Sequence, residues 1–215
     1  MKNLIYKEWK LAIHPTGYIF LLLGAMLLIP NYPYYVAFFY QTLGVFFTFM
    51  NGNTNNDVYF TTLLPVRKRD VVKARLATVI GLEMLQIIIA VPFAILRGLI
   101  PPAENLVGLD ANLALFGLVF IMFGVFNVVF LPMFYRTAYK TGTPYLLATL
   151  VMTLVIVAAE LVIQLTPGLK QTLDTIDPAY APTQIIVLIA GMLIFALLNL
   201  IAYRRSANAF EKLDL

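Results

Sequence analysis

The sequence predicts an all-α membrane protein. Six transmembrane helices follow an amino-terminal amphipathic helix, and a basic cytoplasmic elbow joins the second and third. Three observations lead there. Of 215 residues, 61% are hydrophobic and 12% charged, against about 45–50% and about 25% in soluble domains, so there is too little charge to cover a water-facing surface. Mean hydropathy is +0.85. The apolar residues fall into six runs separated by Pro, Asn, Asp and basic residues. Six spans of about 20 residues each, with their loops, use the length as a single transmembrane domain over residues 1–215.

Residues 1–14 are not a span. Leu4, Ile5, Trp9, Ala12 and Ile13 recur at helical spacing with Asn3, Lys7, Lys10 and His14 opposite, the pattern of a helix in the headgroup plane with Trp9 at the interface and lysines toward phosphate. Pro15-Thr16-Gly17 breaks it. The spans are expected at residues 17–30, 34–50, 71–96, 112–134, 143–165 and 183–203. Asn31-Tyr32-Pro33 forms a tight turn, and residues 51–57 form a polar stretch. The third span, at about 39 Å, exceeds the ~30 Å hydrocarbon core, so Lys73 and Arg75 are expected in water or headgroups, and Pro92 should kink its far end. Asp70 is expected to cap that helix. Thr143-Pro144 reads as N-cap and first residue of the fifth span, Pro182 opens the sixth, and Arg204-Arg205 begins a polar tail.

Charge sets the orientation. One side receives Lys2, Lys7, Lys10, Arg67, Lys68, Arg69, Lys73, Arg75, Arg136, Lys140, Arg204, Arg205 and Lys212, and the other only Arg97 and Lys170, with Glu104, Asp110, Asp174 and Asp177 beside them. The 13-to-2 bias places the rich side, and both termini, in the cytoplasm. The net charge of +4 is thereby a matter of topology and implies no nucleic-acid partner. There is no cysteine, His14 is the only histidine and Ser206, in the polar tail, the only serine. Thiol chemistry, a multi-His zinc site and a serine nucleophile at membrane depth are therefore excluded. An intramembrane hydrolase would need paired acids at one depth, and none are visible.

The elbow, Thr61 to Leu76, is the most informative segment. Leu63 and Leu64 lie outside any span, beside Pro65 and a dense basic cluster. Two readings stand: a helix cap with positive-inside anchors, or a surface that docks a soluble partner. Leu64-Pro65-Val66-Arg67-Lys68-Arg69-Asp70-Val71-Val72-Lys73-Ala74-Arg75 resembles the Leu-Pro-hydrophobic-x-basic-x-Asp-hydrophobic-Val-x-x-(Lys/Arg) segment of small permeases of type-two-class ATP-binding-cassette exporters. The amino-terminal helix with Lys7-Glu8-Trp9 and the six spans also match, and among subfamilies the chain is most similar to permeases of phenol-soluble-modulin exporters, which extrude amphipathic peptides.

The resemblance implies a coupling helix between spans two and three that docks in a cleft of a separate ATPase, with the amino-terminal helix nearby. It carries the coupling role onto Leu64, Pro65, Arg67, Lys68, Arg69 and Asp70. It further implies two permease chains, as homodimer or heterodimer, with two ATPase chains in a bacterial plasma membrane. ATP and Mg would be bound by the ATPase and no cofactor by this chain. The basic triplet Arg67–Arg69 departs from the family, where a small hydroxyl residue is common at its first position, and calls for an acidic rim on the partner. In agreement, the chain has no Gly-x-x-x-x-Gly-Lys-(Ser/Thr) phosphate loop, so the energy for active transport comes from another polypeptide or an ion gradient.

Polar groups within spans usually face a bundle interior. Here they are Glu83, Gln86, Asn127, Glu160, Gln164 and Asn199. Glu83 is expected to pair with a basic group near the inner face. Glu160 either snorkels to the outer interface or attracts a cationic peptide or drug. Aromatic residues from Tyr32 to Phe49 form an interfacial belt and packing, or a wall facing an amphipathic substrate. Phe39, Phe46, Asn127 and Glu160 are the candidate substrate pathway. Gly117, Gly124, Gly191 and Ala196 permit close helix approach. The reading that follows is an ATP-driven exporter of amphipathic peptides or hydrophobic drugs, working by alternating access. The alternative is an ATPase-independent carrier or assembly factor.

Overall fold

The computed structural model describes residues 2–101, 104–137 and 140–213. All regular structure among them is helical. Helix α1 (Lys2–Lys7) runs into a π-helical turn, Glu8–Ala12. His14 is extended, as a residue before proline must be, and its ring Nδ1 accepts from the Thr16 N–H at 3.3 Å to cap α2 (Pro15–Ile19), with Pro15 in the first turn. The chain turns by 91° here. Beyond Ile19 the helix tightens into a 3₁₀ segment, Phe20–Leu28. Its steeper rise of ~2 Å per residue gives the stretch from Pro15 a reach of about 25 Å.

Asn31, with φ of 52°, makes the turn into α3 (Tyr35–Thr54). A short α4 (Asp57–Thr62) precedes α5 (Lys68–Leu99), which runs through Pro92. Then come α6 (Leu113–Arg136), α7 (Gly142–Leu165), the short α8 (Pro167–Leu173) and α9 (Ala181–Glu211). Helices α5, α6, α7 and α9 are long and apolar enough to cross a membrane. The bent pair Lys2–Ala12 and Pro15–Leu28 makes a fifth if it counts as one span. Helix α3 spans about 30 Å, but Gln41, Thr42, Asn51 and Asn53 lower its apolarity.

Several boundaries differ from expectation. Arg67, not Asp70, is the N-cap of α5; Asp70 lies in the first turn, favourable to the helix dipole, with its carboxylate 3.9 Å from Arg67 Nε. Thr141 rather than Thr143 is the N-cap of α7. The polar stretch after residue 50 is helical through Thr54, and the tail after Arg205 is helical to Glu211, with Ser206 fully buried. Asn112 is the N-cap of α6, its Oδ1 accepting from Leu115 N–H at 3.0 Å.

Helix α6 is the hub. Along its most apolar stretch 72% of residues are buried, against 28% for α7 and 22% for α9, whose outer faces are rows of exposed Leu, Ile and Val. Helices α6 and α9 cross at backbone distance: a Cβ on Gly117 would lie 2.6 Å from the Val187 carbonyl oxygen, and Gly191 stands against the Gly117 backbone. Gly124 packs on Phe195 in the same seam, whereas Ala196 faces outward. Aromatic residues fill the interior. Phe38 meets Phe116 and Phe123 edge-on, and Phe49 meets Phe130 and Phe134 at 5.0 and 4.7 Å. Part of the expected aromatic wall is thus core.

Candidate functional site

The elbow begins where Asn56, in the left-handed region at φ 51°, ends α3 and starts α4. Helix α4 turns Tyr59 and Phe60 outward at 51% and 61% exposure, and Leu63 and Leu64 follow at 65% and 53%. Four large apolar side chains in six residues stand clear of the protein, and the Arg67 side chain beside them is 90% exposed. Exposure of that kind marks a protein-binding or membrane-contacting surface. The other two cations of the triplet are engaged internally. Lys68 Nζ donates to the Leu213 carbonyl at 2.6 Å and lies 5.6 Å from the Phe210 ring. Arg69 grips Glu211 with two parallel bonds of 2.6 and 2.9 Å. Both fasten the start of α5 to the end of α9.

Behind the elbow lies a buried ionic quartet. Arg75 Nε is 2.5 Å from Glu8 Oε2, and its Nη2 donates to Asp57 Oδ2. Lys7 Nζ reaches Asp57 Oδ1 at 2.5 Å, Glu8 Oε1 at 3.3 Å and Thr61 Oγ1 at 2.7 Å. Two cations balance two anions in a site where the Arg75 and Glu8 side chains are 4% and 2% exposed. Gly52 leaves room for the guanidinium, which also lies 5.2 Å from the centre of the Phe49 ring. The quartet joins α1, α4 and α5, and Trp9 lies against Gly81 of α5. Arg75 is therefore not in water or headgroups, Lys7 turns inward, and Trp9 packs on a helix, whereas Lys10 and Lys73 are exposed as expected. The first turns of α5 are thus partly packed rather than wholly hydrated.

Within the bundle Glu83, Asn127 and Asn199 are buried together. Asn127 Nδ2 donates to Glu83 Oε2 at 2.9 Å and to Asn199 Oδ1 at 3.0 Å, linking α5, α6 and α9. Glu83 thus bonds an amide and not a basic group. At the end opposite the elbow, Glu160 turns inward rather than snorkelling. It accepts from Tyr35 Oη at 3.3 Å and Gln164 Nε2 at 3.2 Å, on the edge of a cavity of about 270 Å³ that Phe39 also lines. Phe39 and Glu160 are brought together. Phe46, whose ring lies 4.6 Å from that of Tyr145, and Asn127 lie outside this cavity. In the neighbouring loop, burial pushes the Asp110 carboxyl up to about 6. Asp174 and Glu104 add to the rise, while the Asn105 N–H bond at 2.6 Å and Arg97 oppose it.

Residues 3–211 match the family described as ABC-2 family transporter protein. The chain belongs to that family. No curated protein and no solved structure matches it. As an ABC-2 family member the chain is a transmembrane permease of an ABC transporter, a transport component that is generally not itself catalytic and whose family works with an ABC ATPase. The permease's elbow residues Leu64, Pro65 and Arg67 face outward, and Asp70 lies in the first turn of α5. The quartet was missed, although its signal was present. Glu8 stands at helical spacing between Leu4 and Ala12, on the apolar stripe of its own helix, where a carboxylate requires a buried cation.

Proposed function

We propose that this permease is half of the membrane domain of an exporter for amphipathic peptides or hydrophobic drugs in a bacterial plasma membrane. Two copies, or this chain and a homologue, pair with two ATPase chains. In this reading the Pro15–Leu28 segment and α3 are the first two of six spans, the elbow and both termini are cytoplasmic, and α1 with its π-helical turn lies along the inner face. The basic bias supports that orientation. The exposed Tyr59, Phe60, Leu63 and Leu64 beside Arg67 carry the proposal: an apolar patch beside a highly exposed cation suits a cleft with an acidic rim. ATP binding favours one permease arrangement, and the elbow transmits the preference.

The test is co-purification with the ATPase. Arg67→Glu and Leu64→Asp are expected to lower association at least tenfold without affecting insertion. Arg69→Glu is expected to weaken it indirectly, and Arg69→Glu with Glu211→Arg to restore it, because that pair is an internal clamp. Full association of Arg67→Glu and Leu64→Asp would refute the docking role. Uphill cargo accumulation by the purified chain alone in liposomes would favour a partner-free carrier.

A further inference from the structure

We infer that the cavity at the end of the bundle opposite the elbow is a binding site for the ammonium-bearing apolar part of a cargo. Its walls are almost entirely apolar, with Met122, Met152 and Ile156 prominent, and Glu160 is the only charged residue lining it. The carboxylate is held by two neutral donors, Tyr35 Oη and Gln164 Nε2. It forms no ion pair among the described residues, in contrast to Glu8, which has two cations. A carboxyl group held in place without a cation, beside the rings of Tyr34, Tyr35 and Phe39, matches the recognition of an ammonium by carboxylate and aromatic faces.

Size and field narrow the occupant. A cavity of about 270 Å³ lies just below the ~300–1,000 Å³ of small-molecule sites. It takes a side chain or a small drug-like cation, not a whole helix. The surrounding end of the protein carries Glu104, Asp110, Glu160, Asp174 and Asp177 against Arg97 and Lys170, five acids to two bases. That field draws cations and opposes the phosphate of an aminophospholipid, so the occupant belongs to cargo rather than to the bilayer. The assignment to cargo rests on the proposed exporter reading; the ligand chemistry does not.

The test uses the full chain in phosphatidylcholine nanodiscs, without ATPase or nucleotide. The probes are a short alkylammonium carrying a diazirine and the alcohol of the same chain, with labelled residues mapped by mass spectrometry. The amine is expected to label α6 and α7 around Met122 and Met152 at least tenfold more than the alcohol does. Glu160→Gln should reduce amine labelling to the alcohol's level, and Met152→Trp, which fills the cavity, should remove both. A soluble cationic amphipathic peptide should compete. Equal labelling by the two probes, amine labelling indifferent to Glu160→Gln, or competition by phosphatidylethanolamine but not the peptide would overturn the inference. Because no ATPase enters this measurement, its failure leaves the exporter reading intact, and failed ATPase association would leave the binding result intact.

Discussion

Replacing Arg75 with Met tests whether the quartet holds the elbow. The substitution keeps length and apolar contact but leaves Lys7 to face both Glu8 and Asp57, so a neutral site acquires a charge of −1. Removing one member of a buried ion pair costs about 3–5 kcal/mol. Lys7 already touches Glu8 at 3.3 Å, which places the expected loss near the lower limit, about 3 kcal/mol, or roughly two decades in the folded population. Glu8→Met in the same chain removes the stranded carboxylate and leaves the Lys7–Asp57 pair. The double variant should recover most of the loss, with a coupling energy of about 2 kcal/mol. Unfolding in mixed micelles by added dodecyl sulfate is suited to the measurement. Trp9 is the only tryptophan and packs on Gly81 one residue from Glu8, so its emission reports α1 leaving α5 while circular dichroism reports the whole bundle. Arg75→Met should lower the emission midpoint first. An unchanged midpoint, or a double variant as unstable as the sum of the single ones, would refute the quartet as the fastening.

Two further outcomes are expected. Gly191→Ala places a methyl group against the Gly117 backbone, where only helix separation can relieve it. It should destabilise by about 3 kcal/mol, whereas Gly98→Ala, with nothing within 4 Å of a Cβ, should be neutral or stabilising by up to about 1 kcal/mol; equal midpoints in the same titration would refute the seam. Asp110, whose carboxyl is raised to about 6 from about 3.9 when unfolded, binds a proton more readily in the folded protein. Stability should therefore fall as pH rises from about 4 to about 6 and level off above that. Asp110→Asn should flatten that fall, as followed by unfolding at a series of pH values, and an unaltered slope would refute the assignment.

The parts of the fold that were legible follow from local chemistry. Apolar runs located the long helices because the bilayer demands an uninterrupted apolar surface. Asn31 read correctly because a turn depends on one side chain and its immediate backbone. The elbow's apolar patch was legible as Leu63 and Leu64, though not as a helix presenting Tyr59 and Phe60, since six residues carry too little periodicity. Partners distant in sequence were the loss. Arg75 sits at helical spacing between Val71 and Val79 on the buried stripe of α5. That spacing marks it as inward-facing, but the positive-inside count treats every arginine alike. Asn127 meets Glu83 across 44 residues and Asn199 across 72, and no spacing along one strand of sequence identifies which helices are neighbours. The 3₁₀ segment after Ile19 likewise has no mark in a uniformly apolar run.

The contacts divide the bundle mechanically. At the elbow the quartet joins α1, α4 and α5, and the Arg69–Glu211 and Lys68–Leu213 bonds add α9. Deeper in, Glu83, Asn127 and Asn199 join α5 and α9 to α6, and the glycine seam brings α6 and α9 into backbone contact. Directional bonds tie α5 to α6 and α9, and backbone contact ties α6 to α9. Helix α7 is held differently, by apolar packing, the Phe46–Tyr145 and Phe126–Tyr145 ring contacts and the Glu160–Tyr35 bond, with few of its residues buried. In the proposed reading, a load entering at Tyr59–Leu64 would pass to α5 through the quartet and to α3 through Gly52 and Phe49, which lie against Arg75. The cavity with Glu160 is lined by residues of α3, α6 and α7. Under the proposed exporter reading, its volume would respond to a displacement of α3 against α6 and α7, which is the geometric requirement for coupling a distant push to the hold on a bound cation.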